Sequence, residues 1–88
     1  MMADRIHLRI VTPSGTALEA NAEYIRLPTP EGSVGILADH APMLCAVGEG
    51  KLKCRSEEGE RLIAVSDGVA SVENNEVTVL TEKVGTET

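Results

Sequence analysis

Eighty-eight residues bound this chain to one small domain. An apolar share of 42% is enough for a core, but with one Tyr, no Phe and no Trp that core must be built from Val, Ile, Leu and Ala. The net charge of −6, with eight basic residues scattered among fourteen acidic ones, excludes the clustered cations that nucleic acid or anionic lipid head groups require.

The apolar periodicity along the chain is two, not 3.6. Ile6, Leu8 and Ile10 alternate with His7 and Arg9. Thr16 to Glu19 fits a short strand, and Ala17 to Ala22 is the one stretch also compatible with a helical turn. From Glu23 to Leu27, Ile25 and Leu27 alternate with Tyr24 and Arg26. Ser33 to Leu37 is a short extended piece, and Met43 to Val47 is an apolar run of buried-strand length. Lys51 to Ser56 sets Leu52 and Cys54 against charged neighbours. Arg61 to Ser66, Val69 to Val72 and Val77 to Leu80 complete the series.

Between these runs lie turn residues: Pro13-Ser14-Gly15, Pro28-Thr29-Pro30, Gly48-Glu49-Gly50, Glu57-Glu58-Gly59, Asp67-Gly68 and Glu73-Asn74-Asn75. Many short strands so punctuated predict an all-β antiparallel sandwich or barrel. Hairpins are expected across Glu57-Glu58-Gly59 and across Asn74-Asn75, where Asn tolerates positive φ. The sandwich domain is expected over 1–82 and a polar, frayed tail over 83–88.

No run approaches the roughly 18 apolar residues of a membrane span, and no apolar signal core follows the N-terminus. An intracellular chain is therefore expected, with Cys45 and Cys54 as reduced, buried core residues. His7, His40, Cys45 and Cys54 lack the paired spacing of a metal site, so no metal or other cofactor is expected. Asp39-His40 has no Ser or Cys nucleophile marked by a motif, so no catalytic residue is assigned. The loop Glu31-Gly32-Ser33-Val34-Gly35 lacks the Lys and the helix of a phosphate cradle, and Gly35 reads as a strand glycine passed closely by another backbone. His40 is read as a contact residue in a stiff loop. Pro42 biases Ala41 toward extended geometry, and a loop so pinned loses little entropy on binding.

Glu31-Gly32-x-x-Gly35-Ile36-x-x-x-His40-Ala41-Pro42 resembles the signature of the epsilon subunit of the F-type ATP synthase, whose mitochondrial counterpart is called delta. Leu8 to Pro13, Glu23 to Leu27, Val65 to Val69 and Val72 to Leu80 extend the resemblance over nearly the whole chain. It implies a ten-stranded antiparallel β-sandwich. It also implies a non-catalytic rotor subunit of the central stalk, peripheral on the cytoplasmic face of the cell (or thylakoid) membrane and monomeric when isolated. Such a subunit binds gamma and the polar loops of the c-ring and couples ion flow to ATP synthesis. By position, the resemblance puts Glu31, Gly32 and Ser33 on the ring side and His40, Ala41 and Pro42 toward gamma, and it counts Gly35 and Asp39 in the same partner-binding segment.

Two departures stand out. The family often has Gly directly before the His, where this chain has Asp39. The family usually continues into an inhibitory helical hairpin, which this sequence, ending at Thr88, does not contain; a shorter piece and a naturally short subunit both fit. The reading from another class is a stand-alone ligand-binding sandwich, for which Tyr24 alone is thin support.

Overall fold

A computed structural model of the chain describes residues 4–87. Among them are ten strands and no helix. They are β1 (Ile6–Thr12), β2 (Gly15–Ala22), β3 (Tyr24–Thr29), β4 (Gly32–Leu37), β5 (Met43–Val47), β6 (Gly50–Ser56), β7 (Gly59–Val65), β8 (Gly68–Glu73), β9 (Glu76–Thr81) and β10 (Val84–Glu87).

Two five-stranded sheets form, in the orders β2-β1-β9-β8-β5 and β10-β7-β6-β3-β4. Their inner faces share one cluster of aliphatic side chains, so the fold is the expected β-sandwich. Seven of the eight strand pairings are antiparallel; β1 on β9 is the parallel one. That pairing closes the first sheet only after the chain has built most of the second. It joins the N-terminal strand to a strand almost seventy residues later, with Leu8 opposite Val77 and Ile10 opposite Val79.

The alternation read from the sequence is the alternation of burial. Ile6, Leu8 and Ile10 of β1, Ile25 and Leu27 of β3, Leu52 of β6, Ile63 of β7 and Val79 of β9 are fully buried. Each such side chain contributes about 1.5–3 kcal/mol by leaving water.

Three hairpins share one turn chemistry, in which a Thr or Ser ends the first strand and a Gly begins the second. Thr12 and Gly15, Thr29 and Gly32, and Ser56 and Gly59 occupy these positions. In the first two turns the Thr hydroxyl donates to the Gly carbonyl, and in all three the Thr or Ser hydroxyl accepts the backbone N–H two residues on. The β8–β9 turn instead uses Asn74 and Asn75, both at positive φ, as the sequence predicts.

The all-β assignment holds at Ala17 to Ala22, the stretch also compatible with a helical turn: it lies in β2, which pairs with β1 with a register shift at Ile10/Val11. Two expectations need correction. The stretch expected to fray contributes β10, whose Val84 and Gly85 pair with Val65 and Ala64 of β7; Thr88 lies outside the described residues. β5 is not a buried strand. It is the edge of its sheet, with Leu44 75% exposed and Cys45 only half-buried.

Candidate interaction surface

The signature segment occupies β4 and the connections at its two ends. β4 pairs only with β3 and so forms an edge of the second sheet. Glu31 lies in the β3–β4 turn, with its amide held by the Thr29 hydroxyl at 3.3 Å. Gly32 follows at φ +135°, a conformation that glycine adopts freely and other residues do not. Ser33 is exposed and pairs with Pro28. At the far end, residues 38–42 cross from β4 to β5 and thus from one sheet to the other.

The structure therefore does not bring all the predicted residues together. It separates Glu31, Gly32 and Ser33 from Asp39, His40, Ala41 and Pro42 by the length of β4, about 20 Å of extended chain. Beside the first group lies an open recess of about 320 Å³ lined by Thr29, Pro30, Glu31, Val34, Cys45 and Ala46.

Gly35 sits between the two groups, and the reason for its identity differs from the one expected. Its φ is not positive and no backbone crowds it. A β-carbon there would meet the Tyr24 ring, with the hydroxyl at 3.1 Å and Cε1 at 3.2 Å. The sole aromatic residue thus leans over the glycine on the outer face of the sheet. The Arg55 guanidinium lies 4.9 Å from the Tyr24 ring centroid and pairs with Glu23.

The 38–42 loop is the most ordered feature of the surface by its bonding. Asp39 has φ +67°, the left-handed conformation in which a β-carbon is crowded. A glycine would adopt it without strain, which is the physical sense of the glycine that the resemblance leads one to expect here. In this chain the aspartate is clamped instead. Its N–H donates to Asn75 Oδ1 at 2.6 Å, its Oδ1 accepts from Asn75 Nδ2 at 3.2 Å, and its Oδ2 accepts from Arg5 Nη2. These donors hold the Asp39 carboxyl below the usual carboxylate range, the Arg5 hydrogen bond contributing most and Asn75 next.

His40 is half-buried. Its backbone N–H donates to Leu37 O at 3.2 Å and its Nδ1 lies 2.7 Å from Ala41 O. A carbonyl only accepts, so Nδ1 carries the proton and Nε2 is left as the outward polar atom of the ring. Ala41 and Pro42 are exposed.

No nucleophile and base meet at this surface. Among the described residues no group of three His, Cys, Asp or Glu is placed to hold a metal ion. His7 instead lies 3.1 Å from Glu19 across the β1–β2 pair. Burial pushes the thiols of Cys45 and Cys54 up, away from reactive thiolate. Arg5, Tyr24 and Asn75 were not legible as parts of this surface. Arg5 and Asn75 lie far from the signature in sequence and only the sheet topology brings them near; Tyr24 begins the neighbouring hairpin strand, but nothing in the pattern points its ring at Gly35.

Residues 5–86 match the family model described as the ATP synthase Delta/Epsilon chain, beta-sandwich domain. The ATP synthase epsilon chain of Synechococcus sp. (strain JA-2-3B'a(2-13)) is 43% identical over 76 residues, covering 86% of this chain and 56% of the relative. The chain spans a little over half the length of the curated relatives it matches. A chain in the cryo-EM structure of the Euglena gracilis mitochondrial ATP synthase superposes with a TM-score of 0.86 at 24% identity, over 94% of this chain and 54% of that one. Another, in the structure of the central stalk and c-ring of the Tetrahymena thermophila enzyme, gives 0.74 at 19% identity, over 92% and 66%. At these identities the structural likeness carries the fold.

Proposed function

This chain belongs to the ATP synthase delta/epsilon family through its β-sandwich domain, and from that premise we propose that it is a non-catalytic rotor subunit of the central stalk. It binds gamma and the polar loops of the c-ring and so couples ion translocation to ATP synthesis. It sits peripherally at the cytoplasmic face of the membrane, inserts no segment of its own and is monomeric when isolated. Glu31, Gly32 and Ser33 face the ring. Asp39, His40, Ala41 and Pro42 face gamma, with Gly35 setting the flat strand between them.

One observation carries the reading beyond family membership. The 38–42 loop holds an unfavourable backbone conformation at Asp39 and is fixed by side chains from two distant strand ends. A surface loop with no catalytic set has no chemical need of that rigidity. A docking surface does, because a loop already ordered gives up less entropy on association.

The test is affinity of the full chain for its cognate gamma subunit, wild type against His40→Ala. Removing the imidazole should leave stability within about 0.5 kcal/mol, as for a typical surface substitution. It should weaken gamma binding by more than about 1 kcal/mol, the scale of a central contact. Unchanged affinity, or an unfolded variant, would assign His40 to the fold or to nothing.

A further inference from the structure

We propose that Asn75, assisted by Arg5, is a positioning residue for gamma binding: it holds the 38–42 loop in its docking conformation without itself meeting the partner. This rests on the reading that the loop faces gamma.

The loop has little to hold it from within. Its internal bonds are His40 N–H to Leu37 O and His40 Nδ1–H to Ala41 O. The first closes the turn in which Asp39 holds its positive φ, but neither bond engages the Asp39 N–H or its carboxylate. Those are held from outside, by Asn75, 36 residues away, and Arg5, 34 residues away.

Asn75 suits the task because both ends of its amide are used on one residue. Its Oδ1 accepts the Asp39 backbone N–H and its Nδ2 donates to the Asp39 carboxylate. Two antiparallel bonds fix main chain and side chain together, which a single bond or a point charge does not. Arg5 then occupies the remaining carboxylate oxygen. That ion pair is exposed, Arg5 35% and Asp39 68% by side chain, so alone it contributes little to order.

Asn75 is in turn anchored. It lies at φ +63° in the tight β8–β9 turn, and its carbonyl accepts the His7 N–H at 2.8 Å, pinning the turn to β1. The order of the loop therefore comes from the centre of the first sheet, through β1 and the β8–β9 turn. The bare turn chemistry at 74–75 would be met by glycine. The side chain at 75 is what reaches the loop.

The experiment uses Asn75→Gly, which keeps positive φ available and removes the side chain that reaches the loop. Three quantities are read on the full chain: hydrogen exchange of the Asp39 and His40 amides, affinity for the cognate gamma subunit, and melting temperature. Exchange at both amides should accelerate by about tenfold or more. Gamma affinity should fall by about fivefold or more. Asn75→Asp should also weaken binding, because two carboxylates then face each other. The melting temperature of both variants should stay close to that of wild type, as for a surface substitution. A melting temperature that falls in step with the affinity would assign Asn75 to the fold alone and overturn the positioning role.

Unchanged exchange in Asn75→Gly overturns the clamp, even if the wild-type chain binds gamma well. Faster exchange with unchanged affinity overturns the positioning role. If the wild-type chain does not bind gamma at all, the reading of the loop as a partner surface fails and takes this role with it. The exchange data then still separate that failure from a failure of the clamp.

Discussion

Asp39 concentrates the residue-scale argument. The sequence marks it as unusual, since the family that the signature resembles often has glycine there, but the pattern alone does not say why. The backbone does: φ +67° is a conformation that glycine adopts freely and aspartate holds only with help. The help comes from Arg5 and Asn75, and no local periodicity places either of them beside residue 39. Gly35 shows the converse. Its position was legible, its reason was not, because the crowding atom belongs to the Tyr24 side chain rather than to a passing backbone. A pH dependence follows from the clamp. The carboxyl of Asp39 is held below the ordinary range in the folded chain, chiefly by the Arg5 hydrogen bond. A depressed carboxylate contributes stability that is fully present above its unfolded pKa and is lost as pH falls through its folded one. Thermal unfolding of wild type and Asp39→Asn should therefore differ at neutral pH and converge in acid, below the usual carboxylate range. A carbon-13 titration of the Asp39 carboxyl should show its midpoint below the usual carboxylate range. A midpoint in the ordinary range would remove the charge component of the clamp.

At the scale of elements, strands were read well wherever alternation was strict, and turns wherever Gly, Pro or paired Asn stood. The misreadings share a cause. β5 is five apolar residues, which fits a strand buried on both faces, yet its place in the sheet order makes it an edge. β10 is four residues with too little pattern to register, and it exists because β7 offers it an edge. Neighbours decided both outcomes. The link into β10 is held by a polar knot that the sequence does not advertise. Thr81, 4% exposed, donates its hydroxyl to Ser66 O at 2.8 Å and accepts the Ser66 N–H at 3.0 Å, while Ser66 Oγ accepts the Lys83 N–H at 3.0 Å. Thr81→Val keeps the shape and strands the Ser66 backbone groups. It should cost about 1–3 kcal/mol, the penalty for orphaned buried polar groups. For a domain this small that lowers the melting temperature by about 4–8 °C per kcal/mol. Thr81→Ser, which keeps the hydroxyl, separates the lost bonds from the lost methyl. A Thr81→Val variant that melts with wild type would mean the knot is decorative.

At the scale of the whole molecule, the aliphatic core was legible from composition and period, and the pairing of strands was not. Nothing local tells β1 to lie parallel to β9, and that pairing is what closes the first sheet. The result is a sandwich whose core is a single layer of Ile, Leu, Val and Ala side chains, with Cys54 among them, shared by two sheets. With no aromatic residue inside, the core has no large ring to settle into a gap, so truncations there should be felt in full. Ile63, fully buried on β7, and Leu44, 75% exposed on β5, make the comparison. Ile63→Ala should cost about 2–5 kcal/mol. The total stability of a domain this size is about 0.05–0.15 kcal/mol per residue, so that one change consumes a large part of it. Leu44→Ala should stay within about 0.5 kcal/mol. Urea unfolding of the two variants reads the difference as a shift in midpoint at constant slope. Leu44, Val69 and Leu80 are exposed on the first sheet, with Val69 and Leu80 directly paired across β8 and β9. If Leu44→Ala proves as costly as Ile63→Ala, the outer face belongs to the fold, and the division between a buried layer that stabilises and an exposed face that does not is wrong.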